Sequence, residues 1–149
     1  MIGVKIIRQF RSYISFSRRN TGKTTYVGFA YDVRKRLSEL KELPEGWLGG
    51  AGKRLDSDRV DWLAKELDGG YPSELPLPRI YPTEDGNVRM EWLFEPTDVS
   101  VDIDLAFSIA YLHLLNLQTD EERSDKFDLQ SMDGWQALFD KLESVRSGL

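Results

Sequence analysis

The chain has 149 residues, 40% of them apolar and 30% charged, which is ordinary for one soluble globular domain with its own core. It has no cysteine and one histidine, so disulfides, thiolate zinc sites and cysteine nucleophiles are excluded. The net charge of −5 conceals a segregation: residues 1–36 carry nine Lys/Arg against one acid (+8), and residues 37–149 carry eleven against twenty-four (−13).

No apolar run approaches the length of a membrane span, and the first residues lack the apolar core of a secretory signal. With the absent cysteine, this gives the expectation of a cytoplasmic protein.

Residues 1–31 form a basic N-terminal arm, either part of the domain or ordered on a partner. Ile6, Ile7, Phe10, Tyr13 and Ile14 recur at helical spacing, while Thr25, Val27 and Phe29 alternate as a strand would. Lys5, Arg8, Arg11, Arg18, Arg19 and Lys23 are interleaved with Phe10, Tyr13, Phe16 and Tyr26. Such a pattern serves an acidic protein surface, a nucleic acid whose phosphates and bases it contacts, or the chain's own acidic body. Gly22-Lys23-Thr24 resembles the end of a phosphate-binding loop, but Ser17 stands where that loop needs glycine, and a β-like segment follows instead of a helix.

Residues 32–149 read as a single α+β domain. Val33, Leu37 and Leu40 predict a helix over 32–43, stopped by Pro44. A loop with four glycines follows, containing Trp47. That ring is either a plug over the sheet edge or an exposed binding anchor. Asp56 or Ser57 caps a helix running to about Leu67, ended by Gly69-Gly70. Residues 71–78, rich in proline, predict an extended connector.

Residues 80–105 carry the clearest periodicity. Val88, Met90, Trp92 and Phe94 alternate with a mostly polar set, as do Val99, Val101, Ile103 and Leu105. Asp85-Gly86 and residues 95–98 supply the turns. A third long strand is expected over 107–117 and an acidic loop over 118–126. A last helix is capped by Ser131 or Asp133 and presents Trp135, Leu138, Phe139 and Leu142. The expectation is two layers: an antiparallel meander of three to four strands with helices packed on one face.

Gly46, Trp47 and Gly49, then Pro78, Ile80, Pro82, Thr83, Asp85, Gly86, Val88, Glu91 and Trp92 follow a recognisable pattern. Over residues 44–105 the chain resembles a large family of small bacterial proteins. Their pattern is a Gly-Trp-Asp-Gly loop, a capped helix and a Pro-x-Ile-x-Pro-Thr-x-Asp-Gly-x-Val-x-x-Glu-Trp segment. Leu48 stands where the family has Asp. The resemblance implies a fold and no established activity.

His113 has no second histidine or cysteine with which to share a metal, so no metal or cofactor is expected. A carboxylate site built from Glu91, Asp102 and Asp104 with His113 is the enzyme alternative; a solvated sheet face is the other reading. The leading expectation is a non-enzymatic protein-interaction module, antitoxin-like, an inhibitor or an accessory subunit of a bacterial or phage defence system. Its binding residues would be Arg8, Phe10, Arg11, Tyr13, Arg18, Arg19, Lys23 and Trp47, and its partner an acidic protein surface. Nucleic-acid binding by the arm is the alternative.

Overall fold

A computed structural model of the chain describes residues 29–148. Helix α1 (Phe29–Lys41) and helix α2 (Ser57–Gly70) precede five strands: β1 (Arg79–Pro82), β2 (Val88–Phe94), β3 (Thr97–Asp104), β4 (Ile109–Asn116) and β5 (Glu122–Asp128). Helix α3 (Met132–Arg146) ends the domain. The strands form one antiparallel sheet in the order β1-β2-β3-β4-β5, so every strand pairs with its neighbour in sequence.

The α+β meander with its helices on one face is thus as expected, but it has five strands instead of three to four. Two of the five strands, β1 and β5, are ones the apolar pattern does not mark. β1 is only four residues long, and β5 replaces the predicted acidic loop. β5 is exposed along nearly its whole length and is held by backbone pairing with β4. Its charged residues protect an edge strand from further pairing. The amide of Lys126 is moreover taken by the Asp125 carboxylate at 2.8 Å.

Alternation builds the core. Val88, Met90, Trp92, Val99, Val101, Ile103, Ala110 and Leu112 are buried on one sheet face and meet the stripes of the helices. α2 contributes Val60, Leu63 and Leu67; α3 contributes Trp135, Leu138, Phe139 and Leu142. α1 adds Val33, Leu37 and Leu40 beside the β1 edge, where Arg36 Nε donates to the Ile80 carbonyl at 2.9 Å. Asp56 caps α2 through the Arg59 amide, and Ser131 caps α3 through the Gly134 amide. Trp92 is 3% exposed, and its Nε1 donates to the Pro76 carbonyl (2.9 Å) and to the Tyr71 hydroxyl (3.2 Å). The residue 71–78 connector is thereby tied to the core. Tyr71 lies edge-on to Phe139, and burial pushes its phenol above the ordinary value.

Candidate interaction surface

The helices cover one sheet face; cross-strand register defines the other. In an antiparallel sheet, directly paired residues point to the same side. One row across all five strands reads Arg79, Glu91, Ser100, His113, Ser124. The next reads Tyr81, Arg89, Asp102, Tyr111, Lys126. A third, over β2 to β5, reads Leu93, Asp98, Leu115, Glu122.

Polar groups in these rows are engaged with one another. Arg89 grips Asp102 with two parallel hydrogen bonds of 2.6 and 2.7 Å. That carboxylate holds the guanidinium above its ordinary pKa, against the burial that lowers it. His113 Nε2 lies 3.5 Å from Glu122, and the Lys126 ammonium sits 5.9 Å from the Tyr111 ring centre. Exposure differs from place to place on this face. Glu91 and Tyr81 are buried at 4% and 7%, whereas Tyr111 and Leu93 are 45% and 48% exposed.

The residues of the enzyme alternative share this side of the sheet without forming a cluster. Asp102 is occupied by Arg89, and Asp104 accepts the Phe107 amide at 3.0 Å in the β3–β4 turn. Glu91 pairs in register with Ser100, and His113 faces Glu122. Among the described residues no group of three or more His, Asp or Glu is arranged to hold a metal ion, and no helix is long and apolar enough to cross a membrane.

Of the binding residues expected from sequence, Arg8, Phe10, Arg11, Tyr13, Arg18, Arg19 and Lys23 lie outside the described residues. Trp47 is buried in the plug arrangement and does not present its ring as an exposed anchor. Its Nε1 donates to the Lys53 carbonyl at 3.2 Å. Gly52, at φ +90°, passes so close beneath the ring that a Cβ there would sit 2.8 Å from the indole. Leu48, the departure from the resembled pattern, pairs with Ala51 in the same tight loop.

Arg59 is a residue that sequence reasoning missed. It stacks its guanidinium 4.2 Å from the Trp62 ring centre, and it donates to the Leu105 carbonyl and the Ser108 hydroxyl. It thus ties α2 to the β3–β4 turn. Nothing in its spacing signals this; only the contact between distant elements does.

A cleft of about 240 Å³ lies between α1 and α2. It is bounded by the ion pairs Arg34–Asp68 and Lys41–Asp61, and its floor is Leu37 and Val60. It is smaller than the roughly 300–1,000 Å³ of small-molecule sites. No family model, curated protein or solved structure matches this chain.

Proposed function

We propose that the chain is a non-enzymatic protein-interaction module that docks a partner on the sheet face that none of the described helices covers. Its place would be that of an antitoxin-like inhibitor or accessory subunit in the cytoplasm of a bacterial or phage system. One observation carries the reading: this face exposes Tyr111, on β4, and Leu93, on β2, as an aromatic and an apolar anchor on a five-stranded sheet. Small ligands are held in concavities, whereas proteins dock on flat surfaces centred on aromatic and apolar anchors. The platform's ion pairs hold its side chains in place before a partner arrives, which lowers the entropy cost of docking. The basic residues of the N-terminal arm, Arg8, Arg11, Arg18, Arg19 and Lys23, are assigned to an acidic region of that partner, because positive charge is segregated into this part of the chain.

The test immobilises the full chain and passes over it a lysate of the native host, with and without nuclease treatment, in parallel with Tyr111→Glu and Ala137→Glu variants. Ala137 lies exposed on α3. A discrete protein retained by the wild type and by Ala137→Glu, but not by Tyr111→Glu, supports the reading. Equal retention by all three contradicts it, as does retention that nuclease abolishes; the latter assigns the chain to nucleic acid instead.

A further inference from the structure

The two turns at one end of the sheet carry a surface of distinct chemistry. Leu93 and Leu115 share a cross-strand row, with Asp98 between them. Leu117 follows in the β4–β5 turn, and its amide donates to the Pro96 carbonyl of the β2–β3 turn at 2.9 Å, so the two turns lie side by side. Leu93 and Leu117 are 48% and 52% exposed. The turn is fixed by its own bonds. The Asn116 side chain accepts the amides of Gln118 and Thr119, and the Asn116 backbone pairs with Asp120 and Glu121. The leucines are therefore presented on a shaped support.

The charged residues that these two turns supply are acidic, with Arg123 following them on the other face of β5. Glu95 and Asp98 come from the β2–β3 side; Asp120, Glu121 and Glu122 come from the β4–β5 side, and all but half-buried Asp98 are exposed. Residues 90–122 contain eight Asp/Glu and no Lys or Arg. His113, at 3.5 Å from Glu122, is the titratable base in the neighbouring row. Exposed leucines set among acidic turn residues select an occupant on two counts, by buried area and by potential.

We propose that this end of the sheet binds a cationic amphipathic segment of a partner protein, its apolar stripe on the leucines and its Lys/Arg residues against the acidic turns. The inference rests on the reading of the chain as a protein-interaction module and adds the chemistry of the bound segment. The basic groups of the N-terminal arm and this acidic end are then two separate contacts of opposite sign.

The probe is a short amphipathic Lys/Leu peptide, titrated calorimetrically into the full chain, with a Glu/Leu peptide of the same pattern as control. The expected result is saturable one-to-one binding of the Lys/Leu peptide that weakens as salt is raised. Leu93→Asp and Leu117→Asp, at exposed positions that leave folding intact by circular dichroism, should each weaken it about tenfold or more. Phe107→Asp should leave it unchanged. Phe107 is more exposed, at 66%, but lies in the turn at the opposite end of the sheet, so it reports unspecific apolar adhesion. No saturable binding, equal binding of the Glu/Leu peptide, or equal sensitivity to Phe107→Asp overturns the proposal. So does self-association of the full chain that Leu93→Asp breaks, since a second copy would then be the occupant. The peptide result is independent of the lysate experiment. A chain that retains a partner through Tyr111 yet ignores the peptide keeps the general reading and loses this one.

Discussion

Gly134→Ala reverses a rule of helix stability. Alanine in place of glycine within a helix ordinarily adds about 0.5–1 kcal/mol, by lowering the backbone entropy lost on folding. Gly134 lies in the first turn of α3, where its amide is capped by Ser131 Oγ at 3.2 Å. A Cβ there would overlap the Asp128 carbonyl oxygen outright and stand 2.7 Å from its carbon. Ordinary carbon–oxygen contacts need about 3.3 Å or more. The obstacle is backbone, so no rotamer change relieves it. Asp128 is the last residue of β5, and the next residue is anchored: Leu129 is 2% exposed and its amide donates to the Ser108 carbonyl at 2.8 Å. Either the α3 start or the end of β5 must move. Overpacking of this kind costs about 1–3 kcal/mol, and here it also endangers the Ser131 cap, worth about 1 kcal/mol. The expected net effect is a loss of about 2–4 kcal/mol, read as a lower urea midpoint at unchanged slope. Gly69→Ala is the control, because a Cβ there meets nothing within 4 Å; it should be neutral or slightly stabilising. If Gly134→Ala is as stable as the wild type, or the two variants behave alike, the close approach of α3 to β5 is wrong.

Trp92→Ala removes an indole at 3% exposure and should cost about 3–5 kcal/mol in urea denaturation. Tyr71 makes stability fall at alkaline pH. Its folded pKa is raised, chiefly by burial, and by Glu143 against the opposing hydrogen bond from Trp92. The unfolded chain therefore releases the phenolic proton first, from about pH 10, and stability declines above that by up to about 1.4 kcal/mol per pH unit. Tyr71→Phe should flatten this decline in stability curves measured between pH 9 and pH 11, and an unchanged slope would remove the buried phenol from the account. The Arg89–Asp102 pair is bidentate but its side chains are 24% and 38% exposed, so a double-mutant cycle with Arg89→Ala and Asp102→Ala should give a coupling of only about 0.5–1 kcal/mol.

How much of this the sequence disclosed depended on whether side chains or backbone do the work. Val88 to Phe94 and Val99 to Leu105 announce their strands because alternate residues are buried, and Gly86, at φ +83°, marks the turn before them. The cap and stripe of α2 were legible for the same reason, as was the capping of α3 by Ser131. β5 was not legible. Phe127 is its single residue that is not exposed, and a strand held by main-chain pairing leaves no apolar period to read. The surface divided likewise. That Asp102 and Asp104 share a polar face follows from alternation. That Leu93, Leu115 and Leu117 come together beneath one sign of charge follows only from register and from the contact between two turns. The Trp47 loop offered two readings in sequence, and the space under the ring, filled by Gly52, is what favours the plug.

The central claim is that the sheet face that none of the described helices covers is where a partner protein sits. A photo-crosslinking amino acid placed at position 111, and in parallel at exposed position 137 on α3, tests it directly in living host cells. The account predicts a discrete protein adduct from position 111 that is absent from position 137. Adducts from position 137 alone, or none from position 111 in a chain that folds normally, would contradict it.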